Sequence, residues 1–257
     1  MTEYKRSPRC ECSNYKDINE LSIEERLSNK PYWMQGSIYE NKTARECSCH
    51  KQWRLTNIYN KTALDVGLPS FEELKKLSYI GNSDSYKKLK ALPSIITEHQ
   101  LKDVLVFITG PFGCQKTTSL AKLMHQLISS SNTVFYISFT DLIERLNARK
   151  DDVSDLYNAD WLIIEDCFDS ETINFKTSYN MFYNLIIRRT KPTIISTVLS
   201  KDELLQSTSK PFYNVNMLNQ LFAKVEKYNT SISFTDNVSK LLVTGANGSN
   251  TLDIWSL

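Results

Sequence analysis

From Leu101 onward the apolar positions fall into short runs separated by amphipathic stretches. The runs Val104–Thr109, Thr133–Ser138, Trp161–Glu165 and Thr193–Thr197 are nearly unbroken and rich in β-branched or aromatic side chains. That is the pattern of strands buried on both faces. Between them, apolar residues recur at helical spacing over Thr117–Ser129, Thr140–Arg149 and Thr177–Arg189. Strand, helix and strand in this order predict an α/β fold, a parallel sheet with flanking helices. A helix near Asn216–Lys227, a strand at Ser231–Phe234 and a polar end from Gly245 complete the expectation.

The first hundred residues read differently. Residues 1 to about 65 are polar, rich in Cys, Asn and Tyr, with short helical patches such as Ile18–Leu27. Residues 66–98 read as a helical linker, FEELKKL followed by SDSYKKLKAL, ending at Pro93 because proline disfavours a continuing helix. The expected organisation is a small module at 1–65, the linker at 66–98 and the α/β domain at 99–257.

Composition narrows the class. A chain of 257 residues that is 41% hydrophobic is not disordered throughout, and its length suits one medium domain with an appendage. No run of about 18 apolar residues occurs, so no membrane-spanning helix is expected. The start, MTEYKRSPRCEC, has no apolar signal-peptide core, and a cytoplasmic location is expected. Residues 1–100 carry 16 Lys/Arg against 13 Asp/Glu, and the remainder 15 against 16. Neither half argues for a strongly basic nucleic-acid surface. Lys87, Lys88 and Lys90 with Tyr86, and the pair Arg188–Arg189, are the local candidates for contacts to single-stranded DNA; the plainer alternative is a solvated helix face.

The first α/β unit, DVLVFITGPFGCQKTTSLAKLMHQL, carries the clearest chemistry. A buried strand runs into Gly110, Pro111, Phe112, Gly113, Cys114 and Gln115, and Lys116, Thr117 and Thr118 open an amphipathic helix. This is the layout of a phosphate-binding loop for ATP. Backbone N–H groups hold the phosphates, the lysine reaches the terminal ones, and the Thr117 hydroxyl takes Mg²⁺. Gln115 stands where the motif has its second glycine. An ordinary strand-to-helix turn that happens to contain a lysine is the alternative.

The third strand ends in Glu165-Asp166. In P-loop ATPases an acid at a strand end holds Mg²⁺ and its neighbour can polarise the attacking water. By position Glu165 takes the metal role and Asp166 the base role, against the alternative that both acids merely cap a buried strand. Cys114 and Cys167 flank this region, and neighbouring strands would place both thiols near the nucleotide, although two small buried side chains explain them equally simply.

Four of the six cysteines form two C-x-C knuckles, Cys10/Cys12 and Cys47/Cys49, separated by 34 residues. Four thiolates complete a closed tetrahedral zinc site that can hold a segment with little core of its own. His50 is a possible substitute for one sulfur, and four free cysteines are the remaining alternative.

The blocks GPFGCQKTTSLAKLM, FYISFTDLIERL, DWLIIEDCF and RRTKPTIISTVLS occur in the order and spacing of bacterial helicase loaders of the DnaC/DnaI type, and the chain resembles that family over about residues 100–240. The resemblance implies an AAA+ P-loop domain that binds ATP with Mg²⁺ and works beside a hexameric replicative helicase, with single-stranded DNA and sister subunits as further partners. DnaI-type loaders also carry an N-terminal zinc module that contacts the helicase. Three positions depart from the pattern: Gln115 replaces glycine, Val198 replaces the strand-end asparagine, and Gln220 stands where an arginine reaches a neighbour's nucleotide. A valine offers no hydrogen bond and an amide no fixed charge. With these departures, the resemblance implies nucleotide binding with weak or absent hydrolysis. The related IstB-like transposition ATPases and a scaffold of the same fold that binds no nucleotide are the other readings.

Overall fold

The computed structural model describes residues 3–28, 30–77, 83–148, 153–168, 176–206 and 214–234. The chain divides into two compact units, residues 1–61 and 62–257. The expected polar end from Gly245 lies outside the described residues. Among those described, no helix is long and apolar enough to cross a membrane.

The first unit is built on a small sheet that sequence periodicity did not predict. β1 (Lys16–Asp17) pairs in parallel with β2 (Tyr32–Met34), and β3 (Ser37–Glu40) and β4 (Thr43–Glu46) follow antiparallel. Between β1 and β2 lies α1 (Ile23–Leu27), started by a reciprocal capping box of Ser22 and Glu25. Gly36 turns the chain between β2 and β3 with φ at 88°, and a Cβ there would meet the His50 ring at 2.4 Å. The β3–β4 hairpin turns through two residues, Asn41 and Lys42, with φ of 49° and 64°, the left-handed pair that matches strand twist. After β4 the chain enters α2 (Ser48–Asp65), a mostly polar helix that the sequence reading missed.

The second unit holds the parallel sheet. Its strands are β5 (Leu105–Thr109), β6 (Val134–Ser138), β7 (Trp161–Glu165), β8 (Thr193–Thr197) and β9 (Ser231–Ser233), in the order β6-β7-β8-β5-β9. All of its pairings are parallel. The expectation that the strands before Cys114 and Cys167 are neighbours is therefore wrong. β8 lies between β5 and β7, which puts those two strands about 9.5 Å apart, two strand spacings.

Helices cover both faces. α6 (Phe139–Asn147), α8 (Lys176–Arg188) and α10 (Val215–Lys227) pack with Leu105, Phe107, Leu162, Ile164 and Ile195 into one apolar cluster. Short α7 (Ser154–Asn158) and α9 (Lys201–Gln206) contribute Leu156 and Leu204 to it. On the other side lie α3 (Phe71–Lys76), α4 (Ser83–Glu98) and α5 (Lys116–Ser129), the first two packed on the third. Lys122 of α5 donates to the Leu77 carbonyl at the end of α3, and Gln126 to Lys90 of α4. Pro93 lies inside α4 instead of ending it; the helix continues because packing outweighs one lost N–H, and Thr97 donates to the Pro93 carbonyl at 2.9 Å.

Candidate nucleotide and metal sites

β5 is buried along Leu105–Ile108 and delivers the chain to Gly110 at the sheet's C-terminal edge. A Cβ at Gly110 would meet the Phe234 carbonyl oxygen at 2.3 Å and the Cys114 sulfur at 2.8 Å, so close approach requires glycine. Pro111, Phe112 and Gly113 are exposed around the turn, and Gly113 has φ at 79°. Gln115 precedes α5 with φ 64° and ψ 26°, left-handed where glycine is at ease, and its Oε1 is buried without a hydrogen-bond partner among the described residues. Lys116 begins the helix at only 7% exposure. Its ammonium donates to the Gly110 and Pro111 carbonyls and lies 3.8 Å from the Cys114 sulfur. The lysine thus spans the loop from within, and Thr118 sits half-buried on the first turn.

The expected metal pair is brought together. Thr117 Oγ1 donates to Glu165 Oε1, although 48 residues separate them. Glu165 closes β7 at 8% exposure, and its second oxygen accepts from the Tyr136 hydroxyl of β6. Burial raises the Glu165 carboxyl above its usual range, against the two hydroxyl hydrogen bonds, with Asp166 raising it further and Lys116 lowering it. A hydroxyl and a carboxylate oxygen side by side, next to a lysine-led helix N-terminus, suit a hard, oxygen-seeking Mg²⁺. Tyr136 was not anticipated; only the β6–β7 pairing, with Tyr136 opposite Ile163 two residues before Glu165, reveals its reach.

Asp166 is exposed, at φ 54°. The turn that carries it is fixed from below. The Cys167 amide donates to the Ser196 carbonyl at 2.8 Å, and the Phe168 ring enters the core beside Phe139 and Phe182. β8 aligns Thr197 with Thr109 of β5 and Ile195 with Ile164 of β7, so its end lies between the phosphate loop and the acids. Val198 follows directly and offers no polar side chain there. Gln220 is exposed on α10. Cys114 and Cys167 are buried, and burial pushes the Cys114 thiol up against the pull of Lys116. Both behave as small packing residues.

The second site is in the first unit. The sulfurs of Cys10, Cys12, Cys47 and Cys49 all lie within 4.8 Å of one another. Cys12 and Cys49 are 3.6 Å apart and Cys47 and Cys49 are 3.3 Å apart, close to the ~3.8 Å edge of a zinc–thiolate tetrahedron with ~2.3 Å bonds. Burial opposes ionisation of Cys10, yet hydrogen bonds involving Ser48 and the backbone of Cys12 and Cys49 outweigh it and bring that thiol to about 6. Burial and the neighbouring sulfurs push Cys12 up. Four thiolates this close repel, and a divalent cation among them removes the repulsion, so the donor set fits zinc. Tyr4, also unanticipated, reaches the cluster with its hydroxyl 2.9 Å from Cys49 Sγ and 3.4 Å from Cys47 Sγ. His50 is not part of the cluster: its Nδ1 pairs with Glu46 at 2.7 Å.

Two of the expected DNA contacts are unavailable. Tyr86 is 4% exposed, and Arg189, at 1%, directs its guanidinium to the carbonyls of Leu156, Tyr157 and Ala159. Arg189 joins α7 to the end of α8. Lys87, Lys88 and Arg188 are exposed, and Lys90 is half-buried.

No family model matches the chain, and no curated protein gives a significant match. Among solved structures, the chain is similar to DnaI, with 14% identity and a TM-score of 0.48 over 64% of this chain and 90% of that one. It is similar to a protein of Streptococcus pyogenes serotype M3 described as a candidate primosome component, with 12% identity and a TM-score of 0.47 over 66% and 90%. It is also similar to the DnaC helicase loader, with 15% identity and a TM-score of 0.41 over 61% and 93%. The parallel order of the sheet, the lysine-led helix after β5 and the acid pair at the end of β7 make the second unit an α/β fold of the P-loop AAA+ class.

Proposed function

We propose that this chain is a DNA replication protein, a helicase loader or helicase-associated adaptor that binds ATP with Mg²⁺ and hydrolyses it weakly or not at all. The observation that carries the nucleotide half is the meeting of Thr117 and Glu165 beside Lys116. Mg²⁺, when bound, neutralises charge on the terminal phosphates. Thr117 and Glu165 would hold it, Lys116 would turn its ammonium from the loop carbonyls to phosphate oxygens, and the amides at the start of α5 would complete the cradle. Asp166 is the base for an attacking water. With Val198 at the end of β8, no side chain of that position orients the water, and this supports binding without efficient turnover.

The adaptor half rests on the sequence resemblance to helicase loaders together with the four-sulfur cluster. In this reading the zinc-held module, residues 1–65, grips a hexameric replicative helicase, and the 66–98 helices link it to the ATPase-like domain at 99–257. The latter domain meets nucleotide and sister subunits.

A second reading, a scaffold that binds no nucleotide, is favoured by Gln115, which stands in left-handed backbone at the loop position where the phosphate-binding motif has glycine. The experiment that separates them pairs a pull-down of the replicative helicase, before and after zinc chelation, with an ATP titration of wild type and Lys116→Ala. Helicase capture lost on chelation and ATP binding lost in Lys116→Ala are the expected results. No capture under either condition overturns the adaptor reading, and no ATP binding by wild type overturns the nucleotide half.

A further inference from the structure

The first unit has a cavity of about 360 Å³ between the end of α1 and the β2–β4 sheet, apart from its sulfur cluster. Three cations line it, Arg26, Lys30 and Lys42, against one acid, Glu40. Three acids elsewhere in the unit are engaged: Glu25 with Lys16 at 3.2 Å, Glu46 with Arg54 at 2.9 Å, and Glu11 with Arg45. Among the described residues the Arg26 guanidinium donates only to the Leu21 carbonyl, at 3.2 Å, and neither Lys30 nor Lys42 forms an ion pair. Lys42 is carried on the rigid two-residue turn, so its position costs little ordering.

The cavity is also aromatic. Tyr32 and Tyr39 sit opposite each other on β2 and β3, with ring centres 5.0 Å apart and planes 8° from parallel. Both are half-buried and both line the cavity. Unpaired cations around a stacked aromatic pair are what a single nucleic-acid strand requires, because phosphates need positive charge and an unpaired base needs a flat π-face. A duplex keeps its base faces covered, and an acidic peptide has no use for the stacked rings. The volume falls in the range of small-ligand sites, roughly 300–1,000 Å³.

We propose that this cavity seats one nucleotide unit of a single nucleic-acid strand, with its phosphates on Lys30, Lys42 and Arg26 and its base against the Tyr32–Tyr39 pair. It gives the first unit a strand-binding role of its own. The site does not depend on nucleotide at Lys116 and replaces the contacts that burial denies to Tyr86 and Arg189.

The test uses the full-length, zinc-loaded protein and a fluorescein-labelled oligothymidylate, followed by anisotropy over a range of salt. Lys30→Glu combined with Lys42→Glu is expected to weaken binding at least tenfold and to flatten the slope of log affinity against log salt by about 1.4, two phosphate contacts at ~0.7 each. Tyr39→Leu is expected to weaken binding about tenfold with the slope unchanged. Lys116→Ala is expected to leave strand binding intact and helicase capture is expected to survive the lysine changes, so failure here and failure of the adaptor reading are distinguishable. Retained zinc content and an unchanged circular dichroism spectrum show that the variants fold. The proposal is overturned if wild type binds no oligonucleotide, if either variant binds like wild type, or if thymidine monophosphate or polyglutamate displaces the strand as well as unlabelled oligothymidylate does.

Discussion

Thr117, on the first turn of α5, donates its hydroxyl hydrogen bond to Glu165 at the end of β7. The two strands that lead to these residues are not adjacent, since β8 separates them. The contact therefore reports the assembled sheet, and the pair lies where a cation shared by loop and strand would be held. Thr117→Val keeps the shape and removes the oxygen. It is expected to weaken ATP binding about tenfold in Mg²⁺, about 1.4 kcal/mol, and to have little effect in EDTA. Anisotropy of a labelled ATP analogue under both conditions checks this; an equal loss in both would mean that Thr117 acts on the fold and not through the metal.

Gln115 is the residue of the loop whose backbone and side chain disagree. A non-glycine residue in the left-handed region costs of order 1–3 kcal/mol, and this one also buries an amide oxygen without a partner among the described residues. Gln115→Gly removes both costs and adds chain entropy to the unfolded state, of order 0.5–1 kcal/mol. A net gain of about 1 kcal/mol in stability is expected in urea unfolding. ATP affinity should rise several-fold as the loop opens to phosphate. Unchanged affinity with raised stability would place the limit elsewhere in the site.

Much of this architecture is visible in local pattern. β5 to β8 are short runs of mostly apolar residues, which suits strands buried in a parallel sheet, so β7 and β8 fall where the runs predict and β5 and β6 start one residue later. The small sheet of the first unit has strands of two to four residues, too short for alternation to register. α2 is polar along most of its length and gives a weak amphipathic signal. The insertion of β8 between β5 and β7, and separately the β6–β7 pairing that lets Tyr136 reach Glu165, depend on pairing between distant segments. The same holds for Tyr4, which meets Cys49 across 45 residues. Lysine, threonine and the acids of the candidate nucleotide site stand in the sequence as a motif; the Tyr136 hydroxyl that donates to Glu165 does not.

A metal held by the four sulfurs would make the first unit metal-dependent. The unit's apolar centre is small, with Ile38, Cys10, Cys12 and Cys47 as the buried members beside Tyr4, Tyr15, Trp33 and Cys49. One zinc per chain is expected by metal analysis. Chelation should abolish the near-ultraviolet signal of Trp33 and Tyr4, because too little apolar area remains to offset chain entropy. Cys12→Ser should behave as the chelated protein. Tyr4→Phe, which removes the hydroxyl next to Cys47 and Cys49, should keep the metal but release it to a chromogenic chelator about tenfold faster.

His125 is expected to make the packing of α3 on α5 pH-dependent. Its ring stacks on Phe71 of α3 with centres 4.1 Å apart and planes 12° from parallel, and it is 6% exposed. Burial first, and then the charge of Lys75, lowers its pKa from about 6.5 to about 4. The Lys75 ammonium lies 4.3 Å from the centre of the same Phe71 ring, so a second charge on His125 would be placed against an existing one. A base with a depressed pKa binds its proton more readily when unfolded. The stabilising contribution is therefore complete above pH 6.5 and is lost as pH falls toward 4, where both states become protonated. The shift corresponds to about 3 kcal/mol. His125→Phe keeps a flat apolar ring against Phe71 and removes the titration. Urea unfolding of wild type and variant at pH 7 and pH 4.5 should show wild type losing more stability on acidification by most of that amount. Equal losses would mean that α3 leaves α5 before His125 takes its proton.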